Sequence, residues 1–552
     1  MGWVLLSGRL RGSIAARGLF AAALLLLPGS IAWCEPAAPG AAEMLYRHGV
    51  LPSGEPLRGE RESATPVLGA TAACVNCHRR SGLGTTEGRI FIPPITGKYL
   101  FNRGTQTPAE IELPPDVAAP DRREYTEATL ARAIREGTGS DGRALSYLMP
   151  RFKLDDDTMA SLIAYLKGLS GGRVPGVTED TLEFATIVTP DADPMQRQGM
   201  LDVLNNFFEI KDAYYRGKSP PLQSSRNINF RVARKWELHV WELSGEPETW
   251  EEQLRQHLHA QPVFAVISGL GGRTWAPIHS FCEHESVPCL LPNVDLPVVA
   301  EDDFYPVYFS RGVLLEAQLI AQRLAQEPAR AAPHRVVQVF REGDIGVPAA
   351  EAVRAAMGQG DLQIVNRALK AGGGDRALVN ALKDTGPGDA IVLWLRPADL
   401  SHLPKEPAAN SIVLVSGLMA GLENAPLPAP WRRVVRMSYP FELPDLRRVR
   451  MNYPLGWFTV RQIPVVAERT QTDTFLACNI LAEVLGHMQN NFVRDYLVER
   501  VETMLSARLI NGYYPRLGLA PGQRFASKGG YIVRFAEPTG TRLVGDSEWI
   551  VP

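Results

Sequence analysis

Past residue 180 the chain alternates short apolar runs with longer stretches in which apolar residues recur every three or four positions. The apolar runs are Phe184 to Val188, Val263 to Ser268, Val287 to Leu291, Arg335 to Phe340, Leu362 to Val365, Ala390 to Trp394 and Ile412 to Val415. Between and after them, helical periodicity marks Met195 to Tyr215, Trp275 to Glu285, Leu314 to Ala325, Ala349 to Met357, Arg376 to Lys383, Thr472 to Met488 and Asn491 to Leu505. Continuous apolar strands separated by amphipathic helices predict parallel sheets covered by helices, and two such blocks predict two α/β lobes. The region before residue 170 reads differently. Glu43 to His48 and Met159 to Leu166 have helical spacing, with Leu162, Ile163, Tyr165 and Leu166 largely on one face, and Asp155, Asp156 and Asp157 stand where they can cap that helix and complement its dipole. Ser170 to Gly176 breaks the pattern and reads as a linker.

The candidate chemistry of the first region is Cys74-Val75-Asn76-Cys77-His78. Two thiols and an imidazole in this order form the attachment site of a c-type haem: each thiol can add to one vinyl group, and the turn between them brings the histidine to the iron. Other readings of the same residues are a dithiol redox pair and half of a zinc site. The first expects a preceding apolar strand and the second a further Cys or His pair nearby; the sequence supplies neither.

A haem at this position requires a second axial ligand downstream, and Tyr147 to Leu154 followed by the Asp155 helix provides one. This stretch resembles the distal loop and last helix of class I monohaem cytochromes c, in which the methionine before a proline ligates iron. The resemblance implies Met149 as the sixth ligand and leaves Met159 as a core residue. It also implies that a carbonyl in Ile92 to Gly97, matched by position to Pro94, receives a hydrogen bond from His78. Two features depart from that family. A polar stretch from Gly49 to Thr71 separates the first helix from the motif, and His48 stands as a surface residue able to compete for iron.

The second region resembles type I periplasmic solute-binding proteins of the branched-chain amino acid class. The residues that carry the likeness are Val263 to Gly272, Val287 to Asp295, Val307 to Arg311 with the helix after it, and the late helices from Thr472. The resemblance implies a ligand between the lobes, on loops after the strand C-termini. The matching positions are Ser268, Gly271 and Gly272, whose N–H groups could meet a carboxylate, and Asn293 and Asp295, which could fix an amine. Ordinary strand-to-helix turns are the competing reading at each of them. Phe207 to Tyr215 and the tail from Gly529 to Pro552 depart from the family's pattern.

Composition bears on compartment and partners. Arg9, Arg11 and Arg17 precede the apolar run Leu19 to Leu27 and small residues at Ser30 and Ala32, a secretory signal over 1–32. That run falls short of the about 20 residues a span needs. Cys34 suggests a lipid attachment, but bulky Trp33 stands before it. The formal charge of −2 becomes about −5 without the signal arginines, which disfavours nucleic acid. Cys282 and Cys289 flank a short turn and could bridge, and Cys478 sits in a helical pattern as a small apolar residue.

The expectation is therefore a multidomain chain: a signal peptide over 1–32, an all-α cytochrome c domain over 43–170, a linker over 171–182 and a two-lobed type I periplasmic-binding-protein-like domain over 183–552. Its cofactor is one covalent haem c on Cys74 and Cys77, with His78 and Met149 as axial iron ligands. The function expected first is a periplasmic electron carrier, with a redox partner protein and no nucleophile triad, hydrolase motif or phosphate loop. The alternative is a periplasmic small-molecule sensor or transport receptor whose ligand binding is coupled to haem redox state.

Overall fold

The computed structural model describes residues 40–62, 65–87, 90–102, 123–216, 234–300, 302–328, 332–358, 362–370, 375–488, 491–506 and 512–552. The expected signal segment and Cys34 lie outside them. Among the described residues no helix is long and apolar enough to cross a membrane.

The alternation past residue 180 folds as two sheets. The first has five strands, all parallel, in the order Pro306–Val307, Cys289–Leu290, Ala265–Ile267, Thr181–Val188, Lys235–Glu242. In the second, Gln363–Leu369, Arg335–Arg341, Asp389–Trp394, Ile412–Ser416 and Val435–Tyr439 run parallel, and Tyr531–Phe535 and Leu543–Gly545 extend the sheet antiparallel. The central strands are buried over nearly all their length, which is why they read as apolar runs. The tail from Gly529 thus has a structural use: it continues the second sheet past its last parallel strand.

The chain passes between the lobes more than once. After Val307 it leaves the first sheet and enters the helix Val313–Ala325, which packs on the second. The helix Glu468–Met488 returns to the first lobe and packs on Pro194–Arg216. Phe525 then bridges to Tyr308 before the chain rejoins the second sheet at Tyr531. These crossings lie beside the C-terminal ends of the strands and place the cleft there.

The N-terminal region has its own apolar core, built by Leu45, Tyr46, Leu130, Ile134, Leu162, Ile163 and Leu166 from the helices Ala41–His48, Glu127–Glu136 and Asp156–Gly168. Asp155 caps the last helix, accepting from Thr158 N–H at 2.7 Å. The expectation of an all-α domain is corrected here. Part of the polar stretch after Gly49 forms strands: Arg58–Glu60 pairs antiparallel with Pro66–Leu68 and with Arg151–Phe152, and Thr85–Glu87 pairs with Ile90–Ile92. Pairing over nearly a hundred residues is a long-range event that local periodicity does not register.

Residues 41–552 form one compact unit. Within 171–182, Val174 and Val177 pack against the core of the two-lobed region. The segment after His78 is tied to the helix Arg494–Leu505. Arg79 pairs with Glu502, Ser81 N–H and Oγ donate to the two Glu499 oxygens at 2.8 and 2.6 Å, and Arg80 lies 4.5 Å from the ring centre of Phe304. Glu502 also pairs with Arg524, whose guanidinium donates to Phe304 O at 2.6 Å.

Candidate functional site

A narrow cleft lies at the C-terminal ends of strands from both sheets, the place where parallel sheets bind ligands. Asn293 and Asp295 follow the strand Cys289–Leu290 of the first sheet, and Leu418 and Phe441 follow strands of the second. Arg469 and Asp473 reach it from one face of the helix Glu468–Met488, four residues and so about one turn apart. Tyr514 comes from the segment after the last long helix.

Several polar side chains in and behind the cleft are bonded to one another. Arg469 Nη2 donates to Asp295 Oδ1 at 2.9 Å. Ser268 Oγ donates to Thr474 Oγ1 at 2.9 Å, and Asn293 Nδ2 lies within hydrogen-bond distance of both hydroxyls, at 3.0 and 3.2 Å. Asn293 Oδ1 and Asp473 Oδ1 are buried and have no hydrogen-bond partner among the described residues. Burial pushes the Asp473 carboxyl up to about 7, with Arg469 pulling it down and Asp295 pushing it further up. The Arg469 guanidinium is opposed by burial, yet Asp295 and Asp473 raise its pKa above the ordinary value. Behind Leu418, Glu316 accepts from Leu418 N–H at 3.0 Å and from Ser416, and burial pushes its carboxyl up to about 8.

The expected positions divide. Ser268, Asn293 and Asp295 belong to this network, and Ser268 takes φ of +51° to enter it. Gly271 and Gly272 do not offer free N–H groups: Gly271 N–H donates to Asn293 O at 3.3 Å and Gly272 N–H to Thr189 Oγ1 at 3.1 Å. Arg469, Asp473 and Tyr514 were not foreseen. Nothing in their local sequence marks them, because the topology alone brings helix and tail residues to the strand ends.

In the N-terminal region, Cys74 precedes the single-turn helix Val75–His78, and His78 N–H donates to Cys74 O at 2.9 Å. One turn therefore gathers Cys74, Cys77 and His78. His78 is buried, with Nδ1 3.0 Å from the Pro93 carbonyl. A carbonyl only accepts, so Nδ1 carries the proton and Nε2 keeps its lone pair. The acceptor is Pro93 rather than the expected Pro94: Ile95 N–H is tied to Gly82 O at 2.8 Å, and that register presents the earlier carbonyl. Burial lowers the His78 pKa, with the bond to Pro93 opposing, and it pushes the Cys74 thiol up to about 12. Met149 and Cys74 border the same apolar core, Met159 is buried within it, and His48 is exposed. Two thiols one turn apart beside an oriented neutral imidazole are a donor set that suits covalent haem.

No protein-family model matches the chain, and no curated protein matches it. Solved structures do. A branched-chain amino acid ABC transporter protein from Thermus thermophilus with bound valine is 11% identical, over 68% of this chain and 98% of that one, with a TM-score of 0.49. The branched-chain amino acid transporter substrate binding protein from Streptococcus pneumoniae, in complex with isoleucine, is 10% identical over 68% and 100%, with a TM-score of 0.48. A fatty acid ABC transporter substrate-binding protein from Thermomonospora curvata is 14% identical over 69% and 95%, with a TM-score of 0.46. The two sheets of the region past residue 180, built mainly of parallel strands, bear out the expected pair of α/β lobes. None of these three is described as a haem protein, a cytochrome or an electron carrier. The expected electron-carrier description is corrected on that finding, and a redox partner has no support.

Cys282 and Cys289 stand as two buried free thiols in hydrogen-bond contact rather than as a bridge, and burial, then each other's proximity, raises the Cys282 pKa well above its ordinary value. Cys478 is buried within its helix.

Proposed function

We propose that the chain is a periplasmic receptor that binds a small solute in the cleft between its two α/β lobes. The observation that carries this reading is the pair of buried oxygens, Asn293 Oδ1 and Asp473 Oδ1, at the wall of one cleft with no partner among the described residues. Buried polar atoms are almost always partnered, so two acceptors left open at one site call for a donor from outside the chain. The crossings beside the cleft give the lobes a place to move as a solute enters.

The test is a thermal-shift and calorimetric screen of the exported chain against small solutes, with Leu418→Trp as the filled-cleft control. A solute that raises the melting temperature saturably in the parent chain, and not in the control, supports the reading. Equal shifts in both chains, or none from any solute, overturn it.

In the same proposal, residues 43–170 are a module whose Cys74 and Cys77 hold haem c covalently, with His78 and Met149 as iron ligands. The group would supply a reducible iron whose state follows solute binding. The Arg79–Glu502–Arg524 chain supports this coupling, because it joins the residue after His78 to the crossing at Phe525. A pyridine haemochrome spectrum that Cys77→Ser abolishes is the result expected; a colourless chain after maturation contradicts it.

A further inference from the structure

The cleft contains two carboxylates and one guanidinium among its lining residues, Asp295, Asp473 and Arg469. Arg469 is bonded to Asp295, which leaves Asp473, 1% exposed, with an unpartnered oxygen and no bonded cation. Buried charges in proteins are paired, so Asp473 in its ionised form lacks a bonded cation, and Asp473 Oδ1 and Asn293 Oδ1 lack N–H or O–H donors among the described residues. The walls fit the same guest. Tyr514 stacks on Phe309 at 5.1 Å and meets Phe441 at 5.4 Å, so aromatic surface lines the cavity that the carboxylate faces. Aromatic faces beside a carboxylate attract an organic cation.

A carboxylate on the guest would face two acidic side chains here. The Gly271 and Gly272 N–H groups are engaged within the protein, Arg469 is engaged by Asp295, and an anion would meet Asp473 and Asp295. We propose that the solute is a small primary ammonium compound without a carboxylate, its nitrogen donating to Asp473 Oδ1 and Asn293 Oδ1 and its carbon chain lying against Tyr514 and Phe441. This rests on the receptor reading and names its ligand class. An R–NH3+ group supplies the missing charge and three donors at one atom.

The groups that face Asp473 are Arg469 from its own helix, Asp295 from the first lobe, Arg447 from the helix Pro444–Val460 and the Tyr514 hydroxyl. With a carboxyl that titrates near 7, an ammonium guest binds the ionised form and releases a proton on binding. Affinity therefore falls about tenfold from pH 8 to pH 6.

The experiment is calorimetry on the full chain with ethanolammonium, propylammonium, propionate and L-valine. Expected is saturable one-to-one binding of the two ammonium probes, weakened tenfold or more by Asp473→Asn. In the parent chain it is accompanied by release of about half a proton at pH 7, read from buffers of different ionisation heat, a signature that does not depend on the variant folding. Saturable binding of valine or propionate with no ammonium binding overturns the ligand class and leaves the receptor reading standing. Ammonium binding without proton release, or equal in Asp473→Asn, also overturns it. If none of the four probes binds, the ligand class falls, and the receptor reading is judged separately by the broad solute screen with the Leu418→Trp control.

Discussion

Replacing Glu502 by Gln tests how the N-terminal region is held on the rest of the chain. The Glu502 side chain is 2% exposed and pairs with Arg79, at 12%, and Arg524, at 4%. Gln at this position keeps the shape but leaves two buried guanidiniums facing one another without their shared anion. Removing one partner of a buried pair costs about 3–5 kcal/mol, against about 0–1 kcal/mol for an exposed pair. Three observations put Glu502 in the first class: its burial, its second cation, and the Arg524 donation to Phe304 O that fixes the geometry. The assay is urea unfolding followed by far-UV circular dichroism, with hydrogen exchange read separately in residues 79–84 and 512–527. Expected is a loss of about 3–5 kcal/mol with faster exchange in both segments. In Arg79→Met/Glu502→Gln the loss is smaller than the sum of the two single losses, a coupling of about 0.5–3 kcal/mol. A loss below about 1 kcal/mol, or additive single effects, would refute the argument.

Three further outcomes follow from other parts of the molecule. Glu316, Glu499 and Asp473 titrate near 8, 7 and 7 because burial penalises their charged forms. Raised folded-state values mean stability that is full below the ordinary carboxyl range and lost as pH rises toward 8. The melting temperature is therefore expected to fall between about pH 5 and pH 8, with a shallower fall in Glu316→Gln; a rise across that window contradicts the assignment. Gly97→Ala drives a Cβ to 2.4 Å from Lys167 O and is expected to cost about 1–3 kcal/mol in chemical denaturation; a neutral result would show that the contact with the last N-terminal helix is slack. Cys282, Cys289 and Cys478 are all buried, so iodoacetamide leaves them unmodified in the native chain and labels them in concentrated guanidinium; native labelling at Cys282 would contradict the packing.

Much of the two-lobed fold was legible because its central strands carry apolar runs such as Ala390 to Trp394 and Ile412 to Val415. The strand Lys235–Glu242 was missed because it lies half-buried at the sheet edge and alternates Lys, Glu and His with Trp, Leu and Val. Val435–Tyr439 carries Arg436 and Ser438 within five residues, and Pro454 stands inside the helix Pro444–Val460; both blur the local period. In the site, Asn293 and Asp295 could be read because they follow an apolar run directly. Arg469, Asp473 and Tyr514 could not, since they lie about 175 to 220 residues further on, and only the return crossing brings them to the strand ends. The Cys74 turn was visible as a motif, whereas its anchorage through Arg79 and Ser81 depends on residues more than four hundred positions away.

The central claim, a solute held between the lobes, is tested most directly by hydrogen exchange of the full chain with and without a solute that stabilises it in the screen. The account predicts slowing concentrated at 292–295, 308–312, 418–420, 469–474 and 512–515. Slowing confined to the N-terminal region, or spread evenly over both sheets with no excess at these segments, would contradict it.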